Sequence, residues 1–256
     1  MDLRNSDRRY GAPQGVVDLR TAAYYDRIAN EYDDQVDGLA INRAMREAFR
    51  VHVSELAGPS GRILDFGCGT GTDAEWYAEK GHQVVAYDIS PGMVNVLRAR
   101  CAGAIAAGRI TPLVGSSSDF EHAMRDSPSV DVTAANFGVL NHVHDLQSML
   151  VLLASHLRPD GALVASLLNP LYRGQMSWRG WLRTQAMWGW RGAVTLRGEV
   201  TTHRLYLHAL RRRVRPVLEL VEVGHLDERG NWSAESISWR QLLSEEFRFV
   251  TLRRIA

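Results

Sequence analysis

Between residues 63 and 168 the chain alternates two patterns: short apolar runs, and longer stretches in which apolar residues recur every three or four positions. The runs Ile63 to Phe66, Gln83 to Asp88, Ile110 to Val114, Asp131 to Asn136 and Ala162 to Leu168 predict strands. Thr72 to Glu79, Pro91 to Ala106 and Asp145 to Leu157 predict helices between them. Such alternation implies crossover connections, hence a parallel sheet with helices on both faces. Ahead of it, Leu19 to Tyr32 and Ile41 to Leu56 carry helical periodicity, and Gly58-Pro59-Ser60-Gly61 breaks the chain before the first strand. Residues 1 to about 17 are polar, with Gly11, Pro13 and Gly15, and read as an arm that orders only against something else.

Beyond Pro170 the alternation stops. Trp178, Trp181, Trp188 and Trp190 crowd a short segment that reads as an insertion, followed by a strand over Glu199 to Tyr206 and an arginine-rich helix over His208 to Val214. Val217 to Val223 and Phe247 to Leu252 predict two closing strands with no crossover helix, an antiparallel pair at the sheet edge. The chain 1–256 thus reads as one domain. It has an arm and cap helices over 1–57, a ligand-binding core over 60–168, a lid insertion over 170–216 and closing strands over 217–256.

Helix boundaries are marked by capping chemistry. Thr72 and Glu75 have capping-box spacing, and Ser90-Pro91 pairs an N-cap with a proline at the first helical position. Arg158-Pro159-Asp160-Gly161 predicts a tight turn between a helix and the next strand.

Composition narrows the function classes. A formal net charge of +1 supplies no global field for nucleic acid or acidic lipid, so neither is expected as a partner. Cys68 and Cys101 form neither a disulfide framework nor a metal-ligand motif, which fits a reducing cytoplasm. No stretch approaches the ~18 apolar residues of a membrane span, and His142 and His144 have no third ligand nearby, so no metal is expected.

The candidate chemistry lies where the first strand ends, in Ile63-Leu64-Asp65-Phe66-Gly67-Cys68-Gly69-Thr70-Gly71-Thr72-Asp73. Alternate glycines let the backbone turn and approach a ligand closely. Asp88, ending the second strand, is placed to hold both hydroxyls of a ribose. A dinucleotide would set its pyrophosphate on the following helix start, where Asp73 and Glu75 repel it. The charges favour a nucleoside bearing a positive charge.

Asp65-Phe66-Gly67-Cys68-Gly69-Thr70-Gly71 resembles the first motif of the class I S-adenosylmethionine-dependent methyltransferases. Tyr24-Tyr25-Asp26-Arg27-Ile28-Ala29-Asn30-Glu31-Tyr32-Asp33 is similar to the N-terminal helix of their small-molecule members, and Ala86-Tyr87-Asp88-Ile89-Ser90-Pro91-Gly92-Met93 to their second motif. Asn136-Phe137-Gly138-Val139-Leu140-Asn141-His142-Val143 resembles the loop after the fourth strand.

The resemblance implies an α/β fold: a Rossmann-like, doubly wound sheet of seven strands, mostly parallel with a reversed terminal strand, plus a helical lid. It implies S-adenosyl-L-methionine as cofactor. Asp65 would hold its ammonium and the loop Gly67, Cys68 and Gly69, through backbone amides, its carboxylate. Asp88 would take the ribose, with Ile89 and Met93 around the adenine and Tyr24 and Tyr32 closing over it; Asn136 completes the set. The family's acid after the third strand is absent. Ser116 or Ser117 is expected to meet the adenine instead, with Asp119 three residues late.

The expected reaction is in-line methyl transfer to oxygen or nitrogen of a small-molecule acceptor. His142 is the candidate base, and Tyr172, Trp178 and Trp181 the acceptor lid. The alternatives are a nicotinamide-dependent oxidoreductase and a cofactor-binding protein without turnover.

Overall fold

A computed structural model describes residues 14–174, 176–188, 193–197, 200–215, 217–227, 230–236 and 239–255. Residues 1–13, Trp190 and Glu199, which figure in the arm, insertion and strand expectations, lie outside them. Residues 14–17, assigned above to the arm, open helix α1 (Gln14–Ile28).

Five parallel strands form the centre: β1 (Arg62–Phe66), β2 (Gln83–Asp88), β3 (Ile110–Val114), β4 (Val130–Ala135) and β5 (Leu157–Leu168). β1 pairs with β2 on one side and β4 on the other, so strand order reverses beside it and opens a crevice at the carboxyl ends. Burial on both faces explains the continuous apolar runs. Ile63 joins one core with Phe49, Tyr77 and Leu97; Leu64 and Phe66 join the other with Phe120, Leu150 and Leu163.

The sheet has eight described strands, one more than expected. β8 (Leu218–Leu226) and β10 (Phe247–Arg254) are the predicted closing strands, and the two-residue β9 (Trp232–Ser233) is added outside β8. β10 is not at the edge: it lies between β5 and β8, antiparallel to both. Its buried run from Arg248 through Leu252 gains a neighbour on each side, as a strand apolar on both faces requires. Trp232 on β9 stacks between His52 and Phe249, which explains why so short a strand is held.

Helices α3 (Ala40–Ala57), α4 (Thr72–Glu79) and α5 (Pro91–Arg100) pack on one face, with α7 (Ser117–Met124) and α8 (Leu146–His156) on the other. The predicted helix from Pro91 to Ala106 is broken at Cys101, where α6 (Ala102–Ala106) begins. Ser90 caps α5 as expected, its hydroxyl accepting from Met93 N at 3.1 Å. Thr72 does not cap α4. The N-cap is Gly71 at φ 86°, a left-handed conformation that disfavours a β-branched residue, so Thr72 becomes the first helical residue. The capping box occurs instead at Ser116 and Asp119, at the start of α7, a helix the apolar pattern did not reveal. Asp160 takes φ 63° within the predicted turn, and β5 continues through it from Leu157.

Two smaller units sit above the carboxyl ends. α1 and α2 (Tyr32–Asp37) form one cover. The insertion contributes α9 (Trp178–Trp188), the hairpin β6 (Ala193–Arg197) with β7 (Thr201–Leu205), and α10 (Leu207–Val214). A last short helix, α11 (Trp239–Ser244), precedes β10. Among the described residues no helix is long and apolar enough to cross a membrane.

Candidate active site

β1 places Asp65 and Phe66 at the lip of the crevice, and the glycine loop turns immediately after them. Gly67 N and Cys68 N donate to Tyr87 O at 2.8 and 2.9 Å, and Gly71 N donates to Cys68 O at 3.0 Å. Gly69 N donates to Asp88 Oδ2 at 2.9 Å. Four loop amides are therefore already satisfied inside the protein, contrary to the expectation that they receive a carboxylate.

The positive φ of Gly67 (77°), Gly69 (54°) and Gly71 (86°) shapes this turn. A Cβ on Gly67 would lie 2.5 Å from both Val139 methyl carbons, whereas one on Gly69 would meet only Tyr32.

The loop separates two adjoining compartments. The larger, with about 740 Å³ of empty space, is lined by Asp88, Ile89 and Met93 together with Ser117 and His142. The smaller, about 340 Å³, is polar: Asp65, Cys68, Asp73, Asn136 and Arg46 line it. Gly67, Gly69 and Tyr32 belong to both.

Several predicted residues fall elsewhere. Tyr24 does not line either compartment; it packs edge-on behind Tyr25, whose ring takes the place expected for it. Consecutive helix positions point about 100° apart, so only one of the pair can face the crevice. Ser116 spends its hydroxyl on Asp119 within the capping box, leaving Ser117 as the serine on the wall. Tyr172, Trp178 and Trp181 line neither compartment. Trp181 Nε1 donates to Leu171 O at 3.0 Å and its ring packs against Trp178, so these tryptophans build the insertion itself.

Electrostatics divides the two compartments. Arg46 Nη1 lies 3.1 Å from Asp73 Oδ1, its Nε 3.1 Å from Asp37 Oδ1, and its guanidinium covers the Phe137 ring at 4.7 Å. Asp73 Oδ2 accepts from Asn136 Nδ2 at 3.1 Å. Asp65 is buried, and Oδ2 finds no hydrogen-bond partner. Burial, then the neighbouring Asp73, pushes its carboxyl well above the usual range. Burial likewise pushes Asp88 up to about 6, opposed by the amides of Ser90 and Gly69. The Cys68 thiol is raised by burial and is no nucleophile.

His142 sits after the single 3₁₀ turn Val139–Asn141, with Nδ1 3.3 Å from Thr201 O of β7. A carbonyl only accepts, so Nδ1 carries the proton and Nε2 keeps its lone pair. Burial lowers its pKa, which keeps the ring neutral.

The cover is fastened by three acids. Asp18 accepts from Ser117 N and Oγ at 3.3 and 3.1 Å. Asp26 accepts from Ser90 Oγ at 2.6 Å and Gly92 N at 2.7 Å. Asp33 accepts from Thr70 Oγ1 at 2.5 Å and pairs with Arg100.

Residues 63–161 match the family model described as "Methyltransferase domain". Over this core the chain is similar to the class I S-adenosylmethionine-dependent methyltransferases. It is 34% identical over 145 residues to the demethylmenaquinone methyltransferase of Thermobifida fusca (strain YX), covering 56% of this chain and 58% of that protein. Similarity to the ubiquinone biosynthesis O-methyltransferase of Xanthomonas campestris pv. campestris (strain B100) is 34% over 116 residues, 45% of this chain and 46% of the relative. The chain thus spans about half the length of these curated relatives. In fold it resembles the CcbJ methyltransferase of Streptomyces caelestis, with a TM-score of 0.64 at 20% identity, over 91% of this chain and 98% of that one.

The methyltransferase cofactor fits the two compartments. The unpartnered Asp65 Oδ2 offers an acceptor for an ammonium, and the Arg46 guanidinium beside it offers a cation for a carboxylate. Sequence reasoning missed Arg46. A signal existed: Arg46 stands in helical phase with Phe49, Val53 and Ala57, all buried on α3, and an arginine on an apolar stripe calls for a buried partner.

Proposed function

We propose that this methyltransferase transfers the methyl group of S-adenosylmethionine to an oxygen or nitrogen of a small, largely apolar acceptor, with His142 receiving the proton. The observation that carries this reading is that neutral His142 lines the same cavity as Asp88, its protonated nitrogen turned to Thr201 O. When bound, the cofactor supplies an electrophilic methyl group on a positively charged sulfur.

Asp88 holds the ribose hydroxyls, Ile89 and Met93 flank the adenine, and the Ser117 hydroxyl, already donating to Asp18, accepts from its amino group. Asp65 and Arg46 receive the amino-acid end in the smaller compartment, with Asn136 keeping Asp73 in place. Tyr25 and Tyr32 close over the site; burial raises both phenols, so they stay neutral and donate hydrogen bonds. Catalysis is then positioning at near-attack distance with water excluded by α1 and α2, and proton transfer to His142 Nε2 as the new bond forms.

Val139, Val143 and Met149 give the acceptor end apolar walls, and Tyr25 and His142 add flat ones. That lining favours an aromatic or quinone-like acceptor carrying a hydroxyl or amine, in keeping with the quinone-related names of the two sequence relatives. The test is incubation with methyl-labelled cofactor and a panel of phenols, hydroquinones and aromatic amines, read by mass spectrometry. Labelled product from the wild type, lost in His142→Ala with cofactor affinity kept, supports the reading. Cofactor binding without S-adenosylhomocysteine release from any acceptor sinks it in favour of a non-catalytic role.

A further inference from the structure

The charge of this chain is unevenly distributed. Residues 170–215 contain ten arginines against the single acid Glu199, while the rest carries 20 basic and 28 acidic residues. The near-neutral total therefore hides a strongly cationic insertion on an acidic body.

Helix α9 concentrates apolar surface in that insertion. One side docks onto the protein: Trp181 Nε1 donates to Leu171 O at 3.0 Å and Gln185 Nε2 to Pro170 O at 3.1 Å. At about 100° per residue, Leu182, Ala186, Arg179, Arg183 and Met187 span the arc turned away from Trp181 and Gln185, with Trp178 at its border, and all six are exposed. Trp178 is 51%, Leu182 56% and Met187 57% exposed, more than isolated surface apolar residues of a water-facing helix require. No acid lies on α9 to pair with its arginines.

Tryptophan, leucine and methionine interleaved with arginine on one exposed helical face match the composition of a helix lying in a bilayer interface. Arginines then meet lipid phosphates while the apolar tips enter the headgroup boundary. Polynucleotides would reward the arginines but leave Leu182 and Met187 without a partner.

We propose that the outward face of α9 docks this protein peripherally onto anionic phospholipid bilayers. The geometry stands on that face alone and not on the identity of the acceptor. The same insertion reaches the cavity through Thr201 O at His142, so docking sets the acceptor end of the site in register with the membrane surface. Overall charge, the ground for expecting no membrane partner, conceals this segregation.

The test is co-sedimentation of the full chain with sucrose-loaded vesicles of phosphatidylcholine, with and without about 30 mol% phosphatidylglycerol. Association is expected only with the anionic vesicles, weakened severalfold at about 0.5 M salt. Arg179→Glu with Arg183→Glu, and separately Leu182→Ser with Met187→Ser, are expected to weaken it about tenfold or more, with circular dichroism and cofactor affinity kept. If the charge-reversed pair does not fold, Arg179→Gln with Arg183→Gln takes its place. No association with anionic vesicles at low salt, association indifferent to both pairs, or preferential binding of single-stranded RNA lost in the same variants would each overturn the proposal.

Discussion

Asp88 Oδ2 accepts the Gly69 amide hydrogen at 2.9 Å, so the acid that ends β2 also holds the turn that follows β1. Its other oxygen accepts from Ser90 N at 2.9 Å, at the start of α5. One carboxylate thus joins both strand ends that frame the larger compartment, and cofactor recognition and loop shape depend on the same side chain.

Replacing Asp88 by Ala is expected to weaken S-adenosylhomocysteine binding by about 1.5 to 3 kcal/mol, measured by titration calorimetry. Unchanged affinity would remove Asp88 from the ribose. The pH dependence follows from its elevated value of about 6. A carboxyl raised on folding binds its proton more tightly in the native state, so its favourable contribution is complete below the unfolded value and is lost as pH rises through about 6. Cofactor-free wild type should lose stability between about pH 4 and pH 6.5 by up to about 3 kcal/mol relative to Asp88→Asn, read by denaturant unfolding.

Gly67→Ala forces a Cβ into Val139 at a residue with φ 77°. A stability loss of about 2 to 4 kcal/mol is expected. Adding Val139→Ala removes the methyl clash but not the left-handed backbone, so the double variant should regain only part of the lost melting temperature. Full recovery would mean that the backbone conformation is not under constraint.

Arg46 offsets Asp37 and Asp73 at 3.1 Å each in a buried setting. Arg46→Met should therefore cost about 3 to 5 kcal/mol of stability by leaving acids unpaired. If Arg46 also receives the cofactor carboxylate, Arg46→Lys, which keeps the charge, loses affinity for S-adenosylhomocysteine more than for methylthioadenosine, which lacks the amino-acid end. Equal losses for the two ligands would take Arg46 out of that role.

His142→Ala is expected to lower kcat by about 10² to 10⁴ with cofactor affinity unchanged. Burial lowers the pKa of His142, so the acid limb of the wild-type rate profile should fall below the ordinary histidine value of about 6.5. A limb at or above that value would point to another group.

Asp26 fastens α1 to the start of α5 through Ser90 and Gly92. Asp26→Ala should speed cofactor release by up to about thirtyfold, measured by stopped-flow fluorescence, because the cover loses two hydrogen bonds of about 1 kcal/mol each. An unaltered off-rate would mean that α1 does not gate the site.

The start of the sheet core was legible because β1, β2 and β3 are short and end within two residues of a glycine or a capping residue. β2 and β3 have the predicted limits, and β1 starts one residue early. The missed helix α7 is only eight residues long, with Phe120 and Met124 as its buried apolar residues, too few turns for periodicity to register. The closing strands read as an edge pair because local sequence does not encode which neighbour a strand inserts between. The long-range pairing of Phe249 with Ser166 and Gly224 decides that.

By itself, the sequence determined the alternating core, the glycine turn after Asp65, and the acid ending β2, since strand periodicity, backbone freedom and charge are local properties. Only the tertiary structure decided that the loop amides are spent internally, that Arg46 lines the polar compartment with Asp65, that Tyr25 displaces Tyr24, and that Trp178 and Trp181 lie outside the cavity. Each of these depends on which surfaces meet across long stretches of chain, and side-chain pairing of that kind is settled by packing, not by spacing along the chain.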